Sequence, residues 1–170
     1  DTARVTGGEL RGGDGSAAVT GAVIDSRKAA PGIMFCALPG ERVDGHDYIA
    51  SALAKGAPCA LAARVPEGVD GGVIVVPDVA RAMALLAREC RERFSGPVVG
   101  IVGSSGKTTT KEMCACVLAE EFNTLRTEGN LNNELGVPLT LFRLDAGTQA
   151  AVVELGISDF GEMHRLGAMA

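Results

Sequence analysis

Seven consecutive residues have the types and spacing of a loop that binds nucleotide phosphates. An apolar run at residues 98–102 precedes them, and a helical pattern follows. Glycines let such a backbone turn its N–H groups inward, and the start of the helix adds its dipole to the attraction for phosphate. Lys107 can then reach the β- and γ-phosphates as the catalytic residue, and the Thr108 hydroxyl can ligate Mg²⁺. The predicted cofactor-binding residues are Gly103, Ser104, Ser105, Gly106, Lys107, Thr108 and Thr109.

The loop departs from the strict Walker A pattern in one place. That pattern has a glycine five residues before the second glycine of the loop, where this chain has Ile101. The spacing is therefore the shorter G-x-x-G-K-T form. A serine-rich turn between a strand and a helix, with an exposed Lys107, is the alternative that the pattern leaves open.

A second candidate is the carboxylate at the end of an apolar strand, Ala150–Glu154. In open α/β sheets ligands lie beyond the carboxyl ends of the strands, so we expect Glu154 to meet the phosphate loop. Because Mg²⁺ bound to a nucleotide usually has a carboxylate nearby, we predict Thr108 and Glu154 as its protein ligands. A helix cap or a solvated loop carboxylate is the alternative for Glu154.

The elements that position these residues alternate between strand and helix, which predicts α/β architecture. In the first half we expect strands at residues 19–25, 33–38, 59–62 and 73–76, and helices at 48–55 and 79–94. In the second half we expect strands at 98–102, 123–126 and 150–154, with helices at 109–122, after Pro138 and near 160–166.

Ser95-Gly96-Pro97 is the predicted domain boundary, because a helix cannot continue through Gly-Pro and an apolar strand follows at once. This gives two unequal α/β domains, residues 1–95 and residues 96–170, of which the second contains the phosphate loop. The order of elements in the second domain predicts the first part of a doubly wound parallel sheet, incomplete at its carboxyl end.

Composition excludes several classes of protein. With 16 Lys and Arg against 21 Asp and Glu among 170 residues, the net charge of −5 disfavours non-specific nucleic-acid binding. No apolar run has the length of a membrane span, so we expect a soluble protein. Five cysteines without a C-x-x-C pair, each among apolar neighbours, predict buried reduced thiols in the cytoplasm and disfavour a zinc site.

Separated motifs over roughly residues 19 to 166 resemble the ATP-dependent Mur ligases, which build the peptidoglycan precursor. The phosphate loop has that family's short form. Residues 127–140 (TEGNLNNELGVPLT) and 154–163 (ELGISDFGEM) are similar to the branch that adds D-alanyl-D-alanine. Residues 25–35 (DSRKAAPGIMF) and 44–49 (DGHDYI) resemble the N-terminal substrate-binding domain of the same branch.

The resemblance implies an ATP-dependent amide ligase with ATP and Mg²⁺ as cofactors. ATP would phosphorylate the terminal carboxylate of a UDP-N-acetylmuramoyl tripeptide, and the amine of D-alanyl-D-alanine would attack the acyl phosphate through a tetrahedral intermediate. Such phosphoryl transfer depends on positioning and charge neutralisation. It also implies a cytoplasmic monomer whose partners are these two substrates, without nucleic acid and without membrane insertion.

The resemblance further implies substrate contacts by five residues. Ser26 and Arg27 would contact the UDP end, His46 would contact substrate, and Asn130 and Asn133 would line the substrate cleft. A guanidinium suits a diphosphate, and carboxamides offer both donors and acceptors.

Each of these residues also has a purely structural alternative. Ser26 and Arg27 could form an Asx-type turn with a solvated arginine, and His46 could cap the next helix. The cluster of Asn130, Asn132 and Asn133 could be ordinary loop polarity.

Two other functions stay open at this point. One is a different Mur-type ligase, which adds diaminopimelate or lysine, or a folylpolyglutamate synthetase. The other is a module that binds ATP or a UDP-sugar without turnover, since a fold alone does not establish function. Because the family's remaining motifs and C-terminal domain would lie beyond Ala170, we expect this chain to be a fragment without full ligase activity.

Overall fold

The computed structural model describes residues 1–13, 15–40 and 43–170. The chain folds into two compact units, Asp1–Met83 and Ala84–Ala170. Both units contain strands and helices, which confirms the predicted α/β class. The division falls inside the helix Val79–Arg93, ahead of Ser95-Gly96-Pro97, so the domain boundary at that tripeptide stays a prediction.

The first unit is built on a five-stranded sheet. Its elements are α1 (Thr2–Thr6), β1 (Glu9–Arg11), β2 (Gly21–Val23), β3 (Ile33–Cys36), α2 (Ile49–Ala54), β4 (Ala60–Ala62) and β5 (Val73–Val75), followed by the start of α3 (Val79–Arg93). The strand order is β1-β5-β4-β3-β2, with β2 to β5 parallel and β1 antiparallel to β5. Phe35, Ile49 and Val73 are buried in its core.

Two elements of this unit, α1 and β1, were not predicted. Five residues are too few to show a helical period, and the three residues of β1 are all exposed, so no apolar alternation marks the strand. β1 pairs with β5 in the register Glu9 to Val75. This edge strand makes the sheet mixed rather than wholly parallel.

The second unit contains a three-stranded parallel sheet among its described residues. After α3 come β6 (Val98–Ile101), α4 (Lys107–Leu118), β7 (Thr124–Arg126), α5 (Gly136–Leu141), β8 (Ala150–Glu154) and α6 (Glu162–Gly167). The strand order is β6-β8-β7, so β8 lies between the strand that enters the phosphate loop and β7. All five residues of β8 are buried, as the apolar run of a central parallel strand predicts.

The helices α4 and α5 begin ahead of their predicted positions. α4 begins at Lys107 rather than residue 109, directly after the loop, and ends at Leu118 rather than 122. α5 begins at Gly136, ahead of Pro138. Proline is tolerated there because the first turn of a helix needs no N–H donor.

The cysteines are all free thiols and differ in exposure. Cys36 and Cys59 are buried, and burial raises the pKa of Cys59 to about 11 and that of Cys36 further. Cys116 is exposed on α4, so the expectation that every cysteine is buried is wrong for that residue. Within the described ranges, no helix is both long enough and apolar enough to cross a membrane.

Candidate functional site

The phosphate loop joins β6 to α4 in the predicted strand, loop, helix order. Gly103 has φ 148° and Gly106 has φ 75°, both in the region that favours glycine. At Gly106 nothing lies within 4 Å of the position that a Cβ would occupy, so the backbone conformation, not space, requires glycine there. Gly106 caps the twelve-residue α4, whose first N–H groups have no partner within the helix. The loop therefore offers N–H donors and a helix dipole to an anion.

Lys107 folds back over this loop. Its Nζ donates a hydrogen bond of 2.8 Å to the carbonyl oxygen of Gly103, at the other end of the loop. The side chain is half-buried rather than extended into solvent. Its positive charge therefore lies at the loop, where phosphate oxygens would be expected.

Glu154 and Thr108 lie together at the carboxyl end of the sheet. Glu154 is paired with Ile101 in the register of β8 and β6, so the last residue of β8 lies beside the residue that leads into the loop. The Thr108 hydroxyl donates to the Glu154 carboxylate, 3.1 Å from Oε2 and 3.3 Å from Oε1. Glu154 is 2% exposed, so it is not a solvated carboxylate. Its carboxylate accepts from the side chains of Thr108 and Asn132, whereas a helix cap would accept from backbone N–H groups.

Hard oxygen donors suited to Mg²⁺ thus lie within hydrogen-bond distance of one another. In the part of the chain that the structure describes, no three His, Cys, Asp or Glu side chains group as metal ligands. A cation held by Thr108 and Glu154 would therefore need phosphate oxygens and water as its further ligands. That arrangement is typical of a magnesium ion bound together with a nucleotide.

Two polar side chains that were not predicted as partners of Glu154 lie next to it. Asn132 Nδ2 donates to Glu154 Oε1 at 2.8 Å, and Lys111 Nζ lies 3.9 Å from Glu154 Oε2. A signal for Lys111 was present in the sequence, because it lies four residues before the buried Ala115 on the same face of α4. A charged residue at a core position of a helix marks a buried ion pair.

The asparagines predicted to line a substrate cleft have different environments. Asn133 Oδ1 accepts hydrogen bonds from the N–H groups of Leu135 and Gly136, at 3.2 and 2.8 Å, and so caps the start of α5. Asn130 is exposed on the preceding loop. The side-chain oxygen of Asn133 is thus used structurally, and the substrate roles of both residues stay predictions.

Ser26 and Arg27 begin a short 3₁₀ turn in the first unit, Ser26–Lys28. Asp25 accepts a hydrogen bond from the Arg27 N–H at 2.9 Å, and its Oδ2 pairs with Arg27 Nη2 at 2.8 Å. The Ser26 carbonyl accepts from Lys55 Nζ. This is the Asx-type turn of the structural alternative, but the Arg27 side chain is 86% exposed, so an anion can still reach it. Hydrogen bonds from Arg27 lower the pKa of Asp25 to about 2.

His46 is buried and uses both ring nitrogens inside the protein. Nε2 accepts from the Ala63 N–H at 3.1 Å, so in the neutral ring Nδ1 donates to Asp44 Oδ1 at 2.5 Å. Hydrogen bonds from His46 and Arg64 hold the pKa of Asp44 well below its usual range. With both ring nitrogens engaged in this way, the geometry favours an anchor between the loop at Asp44 and Ala63. The substrate contact of His46 stays a prediction.

Comparison with known proteins places both parts of the chain in one family. Residues 18–91 match the family model described as "Mur ligase family, catalytic domain", and residues 101–170 match "Mur ligase middle domain". The UDP-N-acetylmuramoyl-tripeptide--D-alanyl-D-alanine ligase of Escherichia coli is 43% identical over 159 residues, which are 94% of this chain and 34% of that protein.

Solved structures agree with this comparison. A MurF crystal structure from Acinetobacter baumannii has a TM-score of 0.88 at 37% identity, over 99% of this chain and 37% of that one. MurF ligase from Thermotoga maritima in complex with ADP has a TM-score of 0.77 at 38% identity, over 88% of this chain and 35% of that one. The chain spans about a third of the length of these relatives.

Proposed function

The chain belongs to the Mur ligase family, and from that premise we propose that its parent protein joins D-alanyl-D-alanine to a UDP-N-acetylmuramoyl tripeptide at the expense of ATP. The contact of Thr108 with Glu154 beside the phosphate loop carries the ATP-dependent part of the proposal. The choice of substrates is supported by the 43% identity to the Escherichia coli ligase. Activity is a property of the whole protein, of which this chain matches about a third. Because the reaction consumes ATP, we propose that the parent protein acts in the cytoplasm.

The proposed reaction has two steps. The terminal carboxylate of the tripeptide attacks the γ-phosphorus of ATP, which forms an acyl phosphate and releases ADP. The amine of D-alanyl-D-alanine then attacks the acyl carbon, and phosphate leaves as the amide forms. The first step concentrates negative charge on the transferred phosphoryl group, so it depends on cations and N–H donors held in place beforehand.

The residues of this chain supply part of that environment. In the proposal the N–H groups of the loop and of the first turn of α4 bind the phosphates, and Lys107 moves from the Gly103 carbonyl to the β- and γ-phosphate oxygens. Exchange of a neutral carbonyl partner for a charged phosphate favours that movement.

Thr108 and Glu154 would hold the magnesium ion, and their hard oxygen atoms fit it. When bound, Mg²⁺ supplies neutralisation of phosphate charge as a Lewis acid. Asn132 holds the carboxylate by donating to Glu154 Oε1, and Thr127 holds the backbone, since its Oγ1 accepts from the Glu154 N–H at 3.0 Å. The oxygen donors are therefore fixed before any ligand arrives.

We assign recognition of the UDP-linked substrate to Ser26 and Arg27 in the first unit and to Asn130 and Asn133 in the second. The support for Arg27 is its exposed guanidinium, which Asp25 orients by accepting hydrogen bonds from Nε and Nη2. A planar donor of this kind suits a diphosphate.

Amine specificity in the full-length protein tests the proposal. With ATP and the UDP-linked tripeptide, D-alanyl-D-alanine should support ADP release and product formation, whereas free diaminopimelate, lysine and glutamate should not. Turnover with a free amino acid would assign a different ligase. Binding of ATP without turnover on any amine would point to a module that does not catalyse.

A further inference from the structure

Lys111 is a buried ammonium that the proposed reaction does not use. It lies one turn beyond the phosphate loop on α4, and its side chain is 1% exposed. Its Nζ donates to the Thr127 carbonyl at 2.8 Å and pairs with Glu112 Oε1 at 2.9 Å. It also lies 3.9 Å from Glu154 Oε2. Burying a lysine is costly unless nearby charges and hydrogen bonds compensate it.

Glu154 needs the same compensation. Its side chain is 2% exposed, and the donors within hydrogen-bond distance, Thr108 and Asn132, are neutral groups. Among the described residues, the cation that pairs with this carboxylate is Lys111. Lys107, the other lysine of this region, donates to the Gly103 carbonyl instead.

Thr127 connects the two buried charges. Its carbonyl oxygen accepts from Lys111 Nζ, and its hydroxyl oxygen accepts from the Glu154 N–H. Thr127 is itself fully buried. The Lys111 ammonium and the Glu154 backbone are therefore both bonded to one residue, directly after β7. The distance of 3.9 Å between the ammonium and the carboxylate is too long for a direct hydrogen bond.

We propose that Lys111 is a positioning residue, a built-in counter-ion that keeps the Glu154 carboxylate directed at Thr108 until a divalent cation binds the same carboxylate. The part that concerns the metal rests on the proposed function; the pairing of Lys111 with Glu154 does not. Lys111 and the metal ion would both neutralise the Glu154 carboxylate. The charge of Lys111 therefore contributes most to stability when the metal is absent. When Lys111 is replaced by a neutral residue, Mg²⁺ should bind more tightly, because a competing positive charge is gone.

A double-mutant cycle in the full-length protein, without metal, tests the pairing. We expect Lys111→Met to lower the Tm, and to lower it by about half as much or less when Glu154→Gln is already present. The loss of the Thr127 contact occurs in both backgrounds and cancels. Glu112→Gln is the matched control background: it removes the other carboxylate of the same lysine, but that carboxylate is half-exposed, so its coupling should be smaller.

Equal Tm losses in the wild-type and Glu154→Gln backgrounds would overturn the proposal, because Lys111 would then only anchor Thr127. If Lys111→Met alone does not fold, folding of the double variant Lys111→Met, Glu154→Gln tests the pairing. Recovery of folding with Glu154→Gln would support the pairing, and failure to recover would contradict it.

The response to Mg²⁺ with ADP tests the shared carboxylate without any turnover. Ligand binding raises the Tm in proportion to the logarithm of its affinity, so the rise should be larger for Lys111→Met than for wild type. Lys111→Arg keeps the charge and should respond as wild type does. A smaller rise in Tm for Lys111→Met than for wild type would overturn the proposed competition between Lys111 and Mg²⁺ for Glu154. Absence of any rise in the wild-type protein would instead count against the proposed metal site, while the metal-free cycle still decides the pairing.

Discussion

Ile101 and Glu154 are register partners in the parallel strands β6 and β8, although 53 positions separate them along the chain. This pairing places a buried carboxylate beside the residue that enters the phosphate loop. Because β7 lies on the far side of β8, the strand next to β6 in the sheet is not the next strand in the sequence. The crossover through α4, β7 and α5 therefore builds the site.

Replacement of the loop lysine should separate chemistry from folding. Lys107→Ala in the full-length protein is expected to abolish acyl-phosphate formation, because the ammonium that neutralises the phosphates is lost. The fold should persist, since in this structure the side chain makes a surface hydrogen bond within its own loop. ADP release and a thermal melt measure the two effects. Turnover within about tenfold of wild type would remove Lys107 from the catalytic residues.

Arg27→Ala should weaken binding of the UDP-linked substrate. We expect the KM for that substrate to rise at least about tenfold with little change in kcat, as loss of a charge-assisted hydrogen bond to the ground state predicts. Steady-state kinetics with saturating ATP measures the split. Arg11→Ala is the matched control, because Arg11 is also an exposed arginine paired with a carboxylate two residues away. An unchanged KM for Arg27→Ala would exclude it from the substrate site.

His46 should matter for stability rather than for substrate affinity. His46→Ala removes a buried ring and its two hydrogen bonds, to the Ala63 N–H and to Asp44, so we expect a loss of about 2 kcal/mol in the free energy of unfolding. The KM for the UDP-linked substrate should stay unchanged. Denaturant unfolding and kinetics test both statements, with the exposed neighbour Asp47→Ala as control. A raised KM together with unchanged stability in His46→Ala would instead support the predicted contact of His46 with substrate.

Asp44 gives a dependence of stability on pH with a definite sign. Its pKa in the folded protein is lowered from the ordinary 3.8, so the unfolded chain takes up the proton first as pH falls. The charge therefore stabilises the fold fully above about pH 5 and loses that effect as pH drops below about 4. Asp44→Asn should be less stable than wild type at about pH 7, and the difference should shrink between about pH 4 and 3. Denaturant unfolding across that range would contradict this if the difference grew towards acid.

The parts of the candidate site whose position in the fold could be predicted from the sequence are those set by local chemistry. The loop glycines and Lys107 are contiguous, and an apolar strand that ends in Glu154 has a defined end in any parallel sheet. Lys111 and Asn132 were missed because their partner, Glu154, lies 43 and 22 positions away, and which residues meet depends on the strand order. The structural role of His46 was not predicted for a similar reason, since it accepts a hydrogen bond from Ala63 of another segment.

The most direct test of the magnesium assignment is Glu154→Gln in the full-length protein, measured as kcat across a series of Mg²⁺ concentrations. The amide keeps the shape of the side chain and removes its charge, so the step that uses the metal should suffer most. We expect kcat to fall by more than about 100-fold, or about 3 kcal/mol at ~1.36 kcal/mol per decade, with a smaller effect on affinity for the UDP-linked substrate. Glu120→Gln, an exposed carboxylate after α4, serves as the control and should behave as wild type. An unchanged rate with unchanged dependence on Mg²⁺ in Glu154→Gln would show that the buried carboxylate at the end of β8 does not bind the metal.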